Sequence, residues 1–227
     1  MDKSRTEILI GSEELDKLSK KHITIVGVGG VGGYACVMLA RAGVENITII
    51  DFDEVTPSNV NRQIIAFQST IGRKKVDVLK EMLLDINPNM KITAYAKRLK
   101  KENISSLISQ TDIVIDAIDS VQNKLDLIEY CYKNNIYILS AMGAGNRYAI
   151  PEFEYTDIYK THDDGLAKKL RNELRKRNVL SLDVVASKFK ARKVEGTIGS
   201  ISYYPATSGC YISAVIINKI IQGELWK

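Results

Sequence analysis

Apolar residues in the first two thirds of the chain come in short unbroken runs. Ile23-Thr24-Ile25-Val26, Ile47-Thr48-Ile49-Ile50 and Ile113-Val114-Ile115 are β-branched and too short for helices. They lack the strict alternation of a half-exposed strand, so they predict strands of a parallel sheet buried on both faces. Between them the pattern is helical. Tyr34 to Ala42, closed by Gly43, Lys74 to Asp85, Ile104 to Ile108 and Lys124 to Lys133 predict helices, and Lys91 to Tyr95 and Ile136 to Ser140 predict further strands. This alternation predicts an α/β fold with a Rossmann-like, doubly wound, mostly parallel sheet.

Beyond Asn146 the rhythm changes. Phe153 to Tyr159, Leu182 to Val185 and Ile201 to Tyr204 predict strands of a mixed or antiparallel C-terminal extension. No linker rich in Gly, Ser or Pro separates the halves. We therefore expect one domain over 1–227, with a nucleotide-binding half at 1–146 and a substrate-binding half at 147–227. The last predicted helix, Tyr211 to Ile221, is apolar but too short for a bilayer and contains Asn218 and Lys219. It is expected to pack in the core or a dimer seam, and it leaves peripheral contact with a membrane open.

Candidate chemistry sits at the predicted strand ends. Gly27-Val28-Gly29-Gly30-Val31-Gly32 links the first strand to the first helix. Gly27, Gly29 and Gly32 have the spacing that gives a sharp turn, close backbone approach to phosphate and tight helix–strand packing. Asp51 ends the second strand, where a carboxylate binds ribose hydroxyls, and Asp53 follows it. These residues alone also fit a dinucleotide-dependent oxidoreductase. Asn59, Arg62 and Lys75 shift the reading to a nucleoside triphosphate, because departing pyrophosphate gathers charge that Arg and Lys neutralise. Asp119 closes the buried run Asp112 to Ser120 and faces the same crevice. Alone it reads as a cap for the following helix; beside Arg62 and Lys75 it reads as a ligand for Mg²⁺ bridging phosphates.

At these positions the sequence resembles the ubiquitin-activating-enzyme-like superfamily, whose bacterial members adenylate carboxylates in molybdopterin and thiamine biosynthesis. The resemblance implies ATP and Mg²⁺, with Asp51 on the ribose, Asn59, Arg62 and Lys75 on phosphates, and Asp119 on the metal. It also implies that Arg5, in Arg5-Thr6-Glu7-Ile8-Leu9-Ile10-Gly11, enters the ATP site of a partner subunit, and hence a homodimer. Ile8-Leu9-Ile10, with Leu15 and Leu18, are expected to tie the N-terminus down.

The second half resembles one branch, the tRNA threonylcarbamoyladenosine dehydratases. The resemblance rests on Ser140-Ala141-Met142-Gly143-Ala144-Gly145-Asn146, Asp157-Ile158-Tyr159-Lys160-Thr161, Leu166-Ala167 and Glu173-Leu174-Arg175-Lys176-Arg177, together with Asn61-Arg62-Gln63 and Asp116-Ala117-Ile118-Asp119. It implies ATP-dependent cyclisation of the modified adenosine at position 37 of tRNA. The threonyl carboxylate is adenylated, and the carbamoyl oxygen of the same molecule then closes a ring and releases AMP. Proximity carries the second step, so no protein nucleophile is required. In His162-Asp163-Asp164-Gly165 relatives commonly have proline where Gly165 stands, and a more flexible loop is expected.

Charge agrees with a polyanionic partner. The net charge is +5, and it is concentrated: Lys168, Lys169, Arg171, Arg175, Lys176, Arg177, Lys188, Lys190, Arg192 and Lys193 face only Glu173 and Asp183 in the same stretch. Leu166, Leu170 and Leu174 give the first six a helix with its basic face outward. Lys188 to Gly196 reads as a mobile loop that orders on RNA, with Phe189 available for stacking. These ten residues are the expected tRNA contacts.

Cys36, Cys131 and Cys210 form no C-x-x-C pair, so no zinc is expected, unlike the sulfur-carrier-activating branch. Cys36 and Cys131 read as core; Cys210 is expected to open the last helix, where a thiolate is favoured. The odd count without a signal sequence points to a reducing cytoplasm. His22 and His162 are expected at the surface. The assignment is compatible with a Na⁺ or K⁺ ion among the loops and with support from a cysteine desulfurase. Two other functions compete with it. Adenylation of a ubiquitin-like sulfur-carrier C-terminus is disfavoured by the basic segment and the missing zinc pairs, and a non-catalytic nucleotide- and RNA-binding module by the Arg62, Lys75 and Asp119 set.

Overall fold

The computed structural model describes residues 1–223; the last four residues of the expected 147–227 half lie outside it. Two N-terminal helices, α1 (Ser4–Ile10) and α2 (Ser12–Lys20), lead into β1 (His22–Val26). The winding continues through α3 (Gly32–Ala42), β2 (Asn46–Ile50), α4 (Lys75–Ile86), β3 (Lys91–Tyr95), α5 (Ile104–Leu107), β4 (Ile113–Asp116), α6 (Val121–Lys133) and β5 (Tyr137–Ala141). Then come β6 (Phe153–Asp157), α7 (Gly165–Lys176), β7 (Asp183–Ser187) and α8 (Tyr203–Gln222).

The strands form one sheet in the order β3-β2-β1-β4-β5-β7-β6. All neighbours are parallel except β6, which runs antiparallel to β7 at the edge. The fold class is thus as the apolar runs predict. Successive strand residues point to opposite faces. Ile23, Ile25, Ile113, Ile115 and Leu139 pack on α3, α4 and α8, while Val26, Val114, Ile138 and Val184 pack on α6 and α7. Helices on both faces are why the central strands read as unbroken apolar runs. No helix among the described residues is long and apolar enough to cross a membrane.

Three expectations change. Ile201 to Tyr204 is not a strand: α8 begins at Tyr203, eight residues before the predicted start. Pro205 falls in the first helical turn, where a missing N–H costs no hydrogen bond. Tyr204 is buried, its hydroxyl 2.7 Å from Ser187 Oγ, so tertiary packing overrides the β-forming aromatic pair. Cys210 consequently lies in the body of α8, and partial burial raises its thiol pKa, the opposite of an activated thiolate. His22 is not a free surface group but the first residue of β1, with ring nitrogens 2.9 Å from Gln110 O and 2.8 Å from Thr48 Oγ1. Cys36 and Cys131 are buried, as expected.

Candidate active site

The strand order reverses direction between β1 and β4, and in open α/β sheets ligands bind outside the carboxyl ends of the strands at that switch. A cavity of about 650 Å³ opens there, bounded by the ends of β1, β2, β4 and β5. Gly27 makes the turn out of β1 with φ +87°, and any Cβ would lie 2.6 Å from Ala117 O. A Cβ on Gly32 would overlap the carbonyl oxygen of Gly27. These two glycines therefore let α3 start directly against the end of β1. The first N–H groups of a helix suit an anion; at α3 the Gly33 N–H already donates to Gly29 O at 3.0 Å, which holds the glycine turn against the helix start.

Gly27, Gly29, Gly30, Asp51, Asp53, Arg62, Lys75 and Asp119 all line this cavity. Asp51 is held at the end of β2 by Val28 N–H on Oδ2 at 2.9 Å and Asp53 N–H on Oδ1 at 2.9 Å. Burial raises its pKa, while the two backbone donors and Lys75 work against that rise. Lys75 opens α4, is buried, and donates from Nζ to Asp53 Oδ2 at 3.0 Å. Arg62 is half-buried and donates from Nη1 to Ser58 O at 2.6 Å and to Asn61 Oδ1 at 2.9 Å. The sequence places these cations far apart; the crossovers after β2 bring them to one wall.

Asn59 sits elsewhere. It is buried in an adjoining hollow of about 420 Å³ that shares Phe52, Asp53 and Lys75 with the cavity. Its Oδ1 accepts from Thr56 N–H at 3.1 Å. Arg5 lies exposed on α1 and is not among the cavity-lining residues. Ile8 and Leu9 are also exposed rather than packed, at 81% and 83%; Ile10 alone of that trio meets the core.

Asp119 lies beyond β4 with its side chain exposed, and Ser120, not Asp119, holds the N-cap position of α6. The helix-cap reading therefore fails. The loop carrying Asp119 is pinned by Asp116, which the sequence offers only as part of a motif, and by Lys124, to which the sequence gives no role. Asp116 and Lys124 form a fully buried ion pair at 2.8 Å, and Ser140 Oγ donates to the same carboxylate at 2.8 Å. Ile118 N–H donates to Asp116 Oδ1 at 3.1 Å, and Lys124 Nζ donates to Ile118 O at 3.2 Å. The available signal is an acid three residues before Asp119 and a lysine on the next helix. Lys97 and Arg98, just past β3, also line the cavity, with the Arg98 guanidinium 3.7 Å from the centre of the Phe52 ring.

The opposite wall is Ala141 to Gly145, with Gly165, Leu166 and Lys169 of α7. Asp164, expected in a flexible loop, is buried. It caps α7 by accepting from Ala167 N–H at 2.9 Å, and it pairs with buried Arg147 at 3.0 Å. Arg147 also donates to Gly143 O at 2.6 Å, so α7 is tied to the cavity wall. Of the expected RNA contacts, Lys168, Lys169, Arg175, Lys176, Lys188, Lys190, Arg192 and Lys193 are exposed. Some of these exposed groups still have partners in the chain: Lys176 pairs with Glu173 at 2.6 Å, and Arg175 and Arg192 stand over the rings of Tyr159 and Tyr148. The other two expected contacts are half-buried and turned inward. Arg177 bridges Asp126 and Glu129 on α6, and Arg171 donates to the Thr161 carbonyl at 3.0 Å. His162 is exposed beside Asp163.

The sequence profile of the ThiF family matches residues 3–222. The chain belongs to the ThiF family. Among relatives of this ThiF-family chain, tRNA threonylcarbamoyladenosine dehydratase of Bacillus subtilis is 41% identical over 177 residues, covering 78% of the chain and 70% of the relative. The enzyme of that name from Escherichia coli is 40% identical over 171 residues, 75% of the chain but 64% of its own length. The crystal structure of E. coli tRNA N6-threonylcarbamoyladenosine dehydratase in complex with ATP superimposes with a TM-score of 0.91 at 34% identity, covering 97% of the chain and 94% of that structure.

Proposed function

We propose that this ThiF-family chain is an ATP-dependent tRNA threonylcarbamoyladenosine dehydratase acting on the modified adenosine at position 37. The observation that carries the reading is the conjunction on one cavity of Asp51, Arg62, Lys75 and Asp119 with Lys169 of the basic helix. A nucleotide fits the strand-end side of that space. Asp51 accepts from ribose hydroxyls, the glycine turn and the start of α3 receive phosphates, and the apolar Leu99, Ile118 and Val121 with Phe52 enclose the base.

The threonyl carboxylate oxygen attacks the α-phosphorus of ATP, and the bond to pyrophosphate breaks. Arg62 and Lys75 take up the charge that gathers on that leaving group, and they are already fixed in place before it forms. The carbamoyl oxygen then attacks the activated carboxyl carbon, the bond to AMP breaks, a ureido N–H releases its proton to solvent, and the nucleoside has lost the elements of one water, the oxygen leaving on AMP. Both reacting groups belong to one molecule, so holding it is most of the second step.

Asp119 suits Mg²⁺, which typically takes one or two carboxylates plus phosphate oxygens and water. Among the described residues no group of three or more His, Cys, Asp or Glu could hold a metal, so Asp119 would bind it only together with the nucleotide. When bound, the ion supplies charge neutralisation between phosphates. Arg5, exposed and away from its own cavity, fits donation into the cavity of a second copy, with exposed Ile8 and Leu9 covered in the same homodimer.

The test is mass spectrometry of nucleosides from threonylcarbamoyl-modified tRNA after incubation with protein, ATP and Mg²⁺. The expected result is loss of one water, dependent on ATP and abolished by Asp119→Ala in a folded protein. An unchanged nucleoside with a protein that binds ATP would overturn the assignment and direct attention to a sulfur-carrier C-terminus.

A further inference from the structure

We propose that Tyr148, with Arg192 on its ring and Tyr203 beside it, forms a stacking platform for a base next to the modified adenosine; this rests on the tRNA dehydratase reading.

Tyr148 is 60% exposed, yet it is not a loose side chain on a loose loop. The Arg192 guanidinium stands 5.1 Å from its ring centre, and the Tyr203 hydroxyl donates to its carbonyl at 2.5 Å. The platform is fastened to the cavity rim. Tyr148 follows Gly145 of the cavity wall by three residues, and between them Asn146 binds the facing segment three times. Asn146 N–H donates to Gly199 O at 2.8 Å, Arg192 N–H donates to Asn146 O at 2.8 Å, and Gly199 N–H donates to Asn146 Oδ1 at 2.6 Å. Asn61 Nδ2 holds the same segment through Ser200 O at 3.1 Å, and Ile198 and Ser200 themselves line the cavity. The expected loop is thus tied at Arg192, and the residues that follow it, Ile198 to Ser200, form a strap along the cavity wall.

The chemistry of the loop selects its occupant. Lys188, Lys190 and Lys193 are exposed on the same stretch of chain as Arg192, Lys188 at 3.9 Å from Glu152, with Glu195 as the acid within the segment. A flat aromatic face among cations fits single-stranded nucleic acid, whose bases stack on aromatic side chains and guanidinium planes while phosphates meet lysines. The reaction also demands such a surface. Bringing the modified adenosine into the cavity withdraws it from the stack of its loop, and each flanking base is left with one open face. A ring positioned at the rim covers that face. Arg192 accordingly orients Tyr148 and faces bases, rather than serving as one more phosphate contact.

The experiment measures binding of a threonylcarbamoyl-modified anticodon stem-loop by anisotropy, beside dehydration of the same RNA, for wild type, Tyr148→Leu, Tyr148→Phe and Arg192→Gln. Tyr148→Leu is expected to weaken RNA binding by roughly tenfold or more, the scale of one missing base stack. Tyr148→Phe should bind as wild type, Arg192→Gln should fall between, and ATP binding should be unchanged in all. RNA binding by Tyr148→Leu equal to that of a wild type that dehydrates the RNA overturns the platform alone. A wild type inert towards the RNA overturns the dehydratase reading with it. A loss of dimer mass in Tyr148→Leu by native mass spectrometry also overturns the platform, and makes the surface a seam between copies.

Discussion

The two walls of the cavity hold their charges in opposite ways. On the glycine-turn side Asp51 is gripped by two amides, Lys75 by Asp53, and the Asp119 loop by the buried Asp116–Lys124 pair. On the side of α7 and the 188–202 segment, Lys168, Lys169, Lys190 and Lys193 stand in solvent. The difference teaches what each wall does. Groups that meet charge as it develops act only if they are in place beforehand. Groups that hold a flexible polyanion gain affinity by releasing its counterions, and reach serves them better than rigidity. The backbone of the second wall is fixed, by the buried Arg147–Asp164 pair that ties the basic helix to the cavity and by the Asn146 bonds to the strap; it is the lysine side chains that are free.

The strongest way to break this contrast is Lys75→Met. Loss of a fixed donor to the leaving group should lower AMP formation by about 100- to 1000-fold, while tRNA binding by anisotropy stays at the wild-type value. A few-fold change would mean that Lys75 is merely structural. Next comes Lys124→Met, which leaves the buried Asp116 carboxylate its Ser140 and Ile118 donors but no counter-charge. It should cost about 3–5 kcal/mol in urea unfolding, and the double variant with Asp116→Leu should recover most of it. If the single variant is as stable as wild type, the rigidity of the first wall has another source.

A smaller effect is expected when Lys168, Lys190 and Lys193 are all changed to Gln. tRNA binding should weaken several-fold, and the slope of log affinity against log salt should flatten by about 0.7 for each phosphate left without its lysine; ATP binding should not move. A slope equal to wild type removes these lysines from the RNA interface. The smallest effect is Cys210→Ser. Cys210 is exposed on the body of α8, and partial desolvation holds its thiol above the usual range, so it is not an activated thiolate and most activity should remain. A folded but inactive Cys210→Ser protein would sink the nucleophile-free mechanism.

Much of the first wall is legible in the sequence because it is local. Gly27 to Gly32 sit in one turn, Asp51 ends an apolar run, and Lys75 opens a helix. The supports are not legible. Asp116 and Lys124 look like a strand residue and a surface lysine, and Arg147 and Asp164 lie in two loops, one after β5 and one before α7, that meet only once α7 is packed on α6. Tyr203-Tyr204 misleads for a related reason: the pair favours strands by propensity, while the hydroxyl partner at Ser187 and the packing of α8 on the sheet favour a helix.

The sequence by itself determined the sheet, the winding and the nucleotide cradle, since each rests on short-range periodicity, on glycine sterics at a single turn and on which residues end each strand. The tertiary structure alone decided which charges are locked and which are free. Burial and ion pairing are set by residues tens of positions apart: Asp164 becomes a fixed cap because Arg147 is folded against it, Arg177 faces α6 instead of solvent, and Tyr148 becomes a platform because Asn146 hangs the strap beside it.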